Sequence, residues 1–149
     1  MRGPLPKEEF DWIFSRVPRL TVEVVISSPD RGVLLSLREI EPCKGMWHLP
    51  GGTVRFGEPV TDAVQRVAKT ELGIAVTVGP LLGYIEYPSH YTRGLDSPVG
   101  LAFAVTIAAA EELPSGCRWF NALPEKMHDE QRRFLLDHQL AGRERKRQN

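Results

Sequence analysis

Cysteine, charge of one sign and long apolar runs are what this chain has least of. Two cysteines, Cys43 and Cys117, occur in 149 residues. Neither has the clustered spacing of a zinc finger or a disulfide framework, and both suit a reducing compartment, so the expected location is cytoplasmic. Lys and Arg number 19 and Asp and Glu number 19, giving a formal charge of zero. Recognition of a phosphate backbone needs a basic surface, so no nucleic-acid partner is expected. No stretch approaches the ~20 consecutive apolar residues that span a bilayer, so no membrane partner is expected either. The start, MRGPLPKEEF, carries charge but leads into no apolar segment of a secretory signal. Linker-like stretches and repeats of roughly 20–50 residues are also missing, so residues 1–149 read as a single domain. Apolar residues at 42% and charged residues at 26% are globular values, and 13 Gly with 12 Pro imply many tight turns.

Periodicity supplies the elements. Phe10, Ile13, Phe14 and Val17 recur at spacings of three and four within Pro6–Val17, one apolar face of a short helix. Arg19–Ser28 is β-branched and alternating. The turn Pro29-Asp30-Arg31-Gly32 leads from it into a second strand, Gly32–Leu37, which makes a hairpin. Glu41–Met46 is loop, followed by Trp47-His48-Leu49-Pro50 and then Gly51-Gly52. Gly57, Glu58 at the cap and Pro59 at the first helical position open a helix that Gly73 closes. Its Val60, Ala63, Val64, Val67 and Ala68 share a face. Ile74–Tyr87 and Gly100–Ile107 read as strands joined by a polar loop, Arg118–Phe120 as a short strand, and Asp129–Leu140 as an amphipathic helix. The basic tail, 143–149, reads as a frayed, solvated end. This order predicts an α+β fold in which a mixed β-sheet is covered by helices on both faces.

The chemistry is concentrated between Gly52 and Ile74. Glycine, five residues, Glu58, seven residues, Arg66 and then Glu71-Leu72-Gly73-Ile74 form a frame that resembles the Nudix box. That box runs Gly-x5-Glu-x7-Arg-Glu-U-x-Glu-Glu-x-Gly-U, with U bulky and apolar. The match, over residues 52–74, departs at Val67 and Thr70, which stand where the box has glutamates, and at Ala68. Positions 67, 70 and 71 lie three and four apart and share a helix face. Three carboxylates there would build an anionic pocket for Mg²⁺, a hard cation that prefers oxygen ligands. With only Glu71 left, the site suits one partly hydrated Mg²⁺ rather than a cluster. Arg66-Val67-Ala68-Lys69-Thr70-Glu71-Leu72-Gly73 is similar to the Arg-Leu-Thr-Met-Ala-Glu-Leu-Gly form of the box in the GDP-mannose mannosyl hydrolases. The likeness extends to Pro18-Arg19-Leu20, to Leu34–Arg38 and to Gly45–Gly52, and covers about residues 5–87 well.

This resemblance implies a Nudix fold (α/β/α), a homodimer and a Mg²⁺-dependent hydrolase that splits the sugar–oxygen bond of a GDP-hexose. It assigns Glu71 and the Gly51 carbonyl to the metal and Arg38 to the leaving diphosphate. Glu23 stands where an acidic residue lies near the base or sugar. The arginine expected after Gly51-Gly52 is Thr53 here, and Arg55 is its replacement. Arg66 and Glu58, eight residues apart, either pair to fix the loop–helix junction or act in catalysis. The Gln-His pair that supplies a ligand and the general base falls on Leu113 and Pro114, which can do neither, so the base is sought at His90, Glu111 or Glu112. Tyr91 is placed to stack on a base or sugar. His48 and Tyr87 read as packed strand residues, His128 and His138 as surface or cap residues, and Cys43 as a plain loop thiol. Two rival readings are a conventional Nudix pyrophosphatase of ADP-ribose or a nucleoside triphosphate, and a weakly catalytic module that binds a nucleotide sugar.

Overall fold

A computed structural model describes residues 3–41, 43–108 and 112–141. The elements in chain order are α1 (Lys7–Phe14), β1 (Arg19–Val25), β2 (Ser27–Ser28), β3 (Gly32–Leu37), β4 (Trp47–His48) and β5 (Gly51–Thr53). They continue with α2 (Val60–Leu72), β6 (Thr77–Glu86), α3 (Pro88–Tyr91), β7 (Pro98–Thr106), β8 (Cys117–Phe120) and α4 (Asp129–Asp137). The fold is α+β with a mixed sheet, as the element order predicts. That sheet runs β5-β1-β7-β6, with β1 parallel to β7 and antiparallel to β5. A second, antiparallel group is built on β3: β2 and β4 pair along one edge and β8 along the other.

The long first strand changes sheets partway along. At Ile26 the ladder of β1 ends, and the Ile26 carbonyl accepts from the Leu34 amide at 2.9 Å. Alternation along β1 then divides the interior. Val22, Val24 and Ile26 pack with Ala63, Val64, Val67 and Leu72 of α2. Val25, on the opposite face, packs with Leu49, Tyr87 and Leu135. Burial of each such aliphatic side chain contributes about 1.5–3 kcal/mol. Thr21 and Glu23 share the face of Val25, so the same alternation that builds the core delivers a carboxylate to it.

Helix α2 ends as expected, with Gly73 left-handed at φ +69°. Its start shifts by one residue: Pro59, with ψ 141°, is the N-cap rather than the first helical residue. The last helix stops at Asp137, not Leu140, because Gln139 turns left-handed at φ +56° and the Leu140 amide reaches back to the Leu135 carbonyl. The apolar face of α1 is not part of the core. None of its residues is buried, and Val17 lies beyond the helix with 48% of its surface exposed. The tail 143–149 lies outside the described residues.

Candidate active site

A cavity of about 550 Å³ opens where β1, β5, α2, α3 and the start of α4 meet, with Phe10 and Phe14 of α1 along its margin. Its floor is a pair of carboxylates from distant parts of the chain. Glu23, 6% exposed, points from β1 between two glycines. A Cβ on Gly51 would sit 2.6 Å from its Oε2, and one on Gly100 would sit 2.6 Å from its Oε1. Only residues without side chains leave this slot open. The Tyr87 hydroxyl donates to Glu23 Oε1 at 2.9 Å and receives the Gln131 side-chain amide at 3.0 Å. Gln131 is fixed in turn by the Leu49 amide, which donates to its Oε1 at 2.9 Å.

Glu71 comes from the last turn of α2. Its Oε2 is buried and has no hydrogen-bond partner. Burial pushes the Glu71 carboxyl up to about 7 against the opposing pull of the Gly51 amide and the Arg38 charge. Burial likewise pushes Glu23 to about 7, and the Glu71 charge adds to the rise. Two partly desolvated carboxylates, one with an orphaned oxygen, are costly without a positive partner, and oxygen donors of this kind fit a hard divalent cation.

One wall is a relay of charge-assisted hydrogen bonds. Arg19 donates to Asp96 Oδ2 from Nε at 3.0 Å and from Nη2 at 2.6 Å, while its Nη1 donates to Thr53 Oγ1 at 2.8 Å. Asp96 Oδ1 lies 2.9 Å from His90 Nδ1. Burial would raise the Asp96 carboxyl, but the hydrogen bonds and charges of His90 and Arg19 outweigh it and hold it at about 2. A carboxylate only accepts, so the neutral His90 ring carries its proton on Nδ1 and its lone pair on Nε2. That Nε2 is buried and unpartnered. The His128 ring lies 5.3 Å from the His90 ring, between centroids. Arg38 also borders the cavity, its Nε donating to the Ile40 carbonyl at 3.1 Å.

Among the residues expected from the sequence, Glu71, Gly51, Glu23, Arg38 and His90 therefore meet in one cavity. Others do not. Arg66 donates to Glu58 at 2.8 and 3.0 Å and to the Thr53 carbonyl at 2.8 Å, a structural clamp. Arg55 gives its backbone amide to Glu58 at 3.1 Å and does not line the cavity. Tyr91, half exposed, borders a neighbouring hollow with Phe14 and Val17. Leu113 packs against the core, and Glu111 lies outside the described residues. Val67 is buried in the core and Thr70 is exposed, so neither position meets Glu71 at the cavity. The sequence reading missed Arg19, Asp96, Cys43, His128 and Gln131. His128 caps α4, as expected, but faces the cavity rather than solvent. No local pattern marks these residues, because they come from the start of β1, the loops before β4 and β7, and the start of α4.

This is the architecture of a Nudix hydrolase fold with a single box carboxylate at its cavity. The NUDIX domain family model matches residues 17–137, and the chain belongs to the Nudix family. It is 43% identical over 107 residues to the low-salt glycan biosynthesis protein Agl8 of Haloferax volcanii, covering 69% of this chain and 68% of that protein. It is 35% identical over 94 residues to an ADP-ribose pyrophosphatase of Methanocaldococcus jannaschii, covering 63% of this chain and 54% of that protein. Among solved structures, a MutT Nudix hydrolase from Burkholderia pseudomallei superposes with a TM-score of 0.70 at 29% identity, over 81% of this chain and 98% of that one.

Proposed function

We propose that this Nudix hydrolase uses one Mg²⁺ to hydrolyse a nucleoside diphosphate joined to a sugar, GDP-mannose or a close analogue, releasing GDP and free sugar. The observation that carries the reading is the lone box carboxylate. Of positions 67, 70 and 71, only Glu71 enters the cavity, and its companion there is Glu23 from β1. The glycan-biosynthesis role in the name of the Haloferax relative supports a sugar-bearing substrate. Glu71, Glu23 and the Gly51 carbonyl are the groups that would hold the cation. When bound, Mg²⁺ offsets the charge of the diphosphate leaving group. Arg38 grips that diphosphate, for which a guanidinium fork is suited. His90 Nε2 takes a proton from water as the hydroxyl bonds to the sugar's anomeric carbon. The carbon–oxygen bond breaks and its electron pair stays on the diphosphate. Asp96 and Arg19 hold the ring in the tautomer that this requires. The exposed apolar residues Leu81 and Tyr84 on the edge strand β6 are consistent with a homodimer.

A panel of nucleotide sugars and dinucleotides with Mg²⁺, with every product identified, tests the reading. GDP and free hexose are expected. GMP with a hexose phosphate would overturn the bond assignment and favour the pyrophosphatase reading, which the Methanocaldococcus relative supports. Binding in calorimetry without turnover would favour the sensing module, to which the loss of the Gln-His pair at Leu113-Pro114 points. In Glu71→Gln, Mg²⁺-dependent turnover is expected to fall at least about 100-fold with the fold intact; undiminished activity would reject the metal site.

A further inference from the structure

The two carboxylates do not account for the rest of the cavity lining. There, Cys43, His90 and His128 each bring one ligand atom into a cluster, with the three atoms within 4.8 Å of one another. We propose that these residues form a second metal site, selective for zinc or a zinc-like ion, distinct from the hard-cation site at Glu23 and Glu71. Three observations carry it. The donors are one sulfur and two imidazoles, a set that favours Zn²⁺ and discriminates against Mg²⁺. His90 Nε2 is buried without a hydrogen-bond partner while Nδ1 is tied to Asp96, which leaves Nε2 as the nitrogen available to a metal. This carboxylate–histidine pairing is the outer-shell arrangement that orients metal-bound histidines. Finally, Cys43, whose thiol lies in the cluster, is held at φ +67°, a conformation that non-glycine residues rarely adopt. Tetrahedral coordination brings donors to about 3.5 Å apart, a closure within reach of side-chain rotation.

Occupancy would also withhold the His90 lone pair from water. That consequence rests on the proposed role of His90 as base, whereas the site itself does not. The test uses the full-length reduced protein and Co²⁺ as a spectroscopic probe, followed by Zn²⁺ competition. One equivalent of Co²⁺ is expected to give a thiolate-to-metal charge-transfer band with tetrahedral visible bands, all displaced by stoichiometric Zn²⁺ and untouched by excess Mg²⁺. Cys43→Ser should abolish the charge-transfer band and His128→Ala should abolish the tetrahedral spectrum. Asp96→Asn should weaken binding about tenfold. Glu71→Gln should leave the spectrum unchanged. A spectrum without sulfur character, retention of the band in Cys43→Ser, or loss of binding in Glu71→Gln would each overturn the proposal. Circular dichroism on every variant separates loss of the site from loss of the fold, and nucleotide-sugar turnover, measured separately, decides the hydrolase reading independently.

Discussion

Glu23 shows how much of a buried side chain's position is set by what its neighbours lack. Its carboxylate fits because β5 and β7 each present a glycine beside it, and the Tyr87 hydroxyl, itself held by Gln131, donates to one of its oxygens. Gly100→Ala places a methyl group 2.6 Å from Oε1 and 2.9 Å from Cγ. The slot is buried, so the carboxylate cannot swing away freely. Expected is a fall in turnover of at least about tenfold from a misplaced charge. Mg²⁺ affinity should weaken in parallel, with the thermal midpoint changing much less than activity; equal kinetics in the two proteins would show that Glu23 does not act at the metal. The residues of this site differ in how readable they were. Glu71 was legible because the box is a local pattern on one helix, and Glu23 through the family resemblance, which set an acidic residue of the first strand near the base or sugar. Asp96, His128 and Cys43 were not. Their partnership exists only once β7, α4 and the loop before β4 converge, and no spacing in sequence encodes that meeting.

At the scale of elements, the junction between β5 and α2 carries the box, and its rigidity rests on Arg66. That side chain bridges Glu58 and the Thr53 carbonyl, tying the start of the helix to the strand. The sequence spacing left open whether the pair was catalytic, and the geometry shows it is a clamp behind the cavity. The Glu58 side chain is 1% exposed, so Arg66→Met strands a buried carboxylate and should cost roughly 3 kcal/mol in urea unfolding. Restoring neutrality with Glu58→Gln on that background should recover part of it. The clamp also gives a sign for acid. The hydrogen bond from Arg66, opposed by burial and aided by the Arg55 amide, holds the Glu58 carboxyl below the ordinary glutamate value. A depressed folded pKa contributes stability above the unfolded value and loses it as pH falls through the folded one. Unfolding free energy measured from pH 6 downward should therefore drop more steeply in the wild type than in Glu58→Gln; parallel curves would show that the pair does not drive acid lability. Helix α2 itself was legible from its punctuation. The one-residue shift at Pro59 reflects a proline that fixes φ but keeps an extended ψ, which makes it a cap. The end of α4 was not legible, because the reversal at Gln139 uses a residue with no strong turn signature.

Over the whole molecule, charge neutrality takes on a location. Lys and Arg balance Asp and Glu at 19 each, yet the balance is uneven inside: Glu58 has Arg66 and Asp96 has Arg19, while Glu71 keeps an oxygen without a partner. Glutamates at positions 67 and 70 would have carried the total to about −2. With Val67 in the core and Thr70 at the surface, Glu71 is the one box carboxylate at the cavity, an excess that one divalent ion would offset. A cation held at Glu71 and Glu23, as proposed, would couple folding to metal binding, because the unfolded chain holds no such site. At a free Mg²⁺ concentration of about 100 times Kd, mass action adds about 2.7 kcal/mol to stability. For a chain of this size that raises the thermal midpoint by roughly 5–10 °C. Glu71→Gln and Glu23→Gln should each lose most of this increment, even if removing a buried charge makes the metal-free fold more stable. Calorimetric scans with Mg²⁺ and with EDTA separate the two effects. A wild-type midpoint that ignores Mg²⁺ would mean that the unpaired oxygen of Glu71 serves something other than a cation.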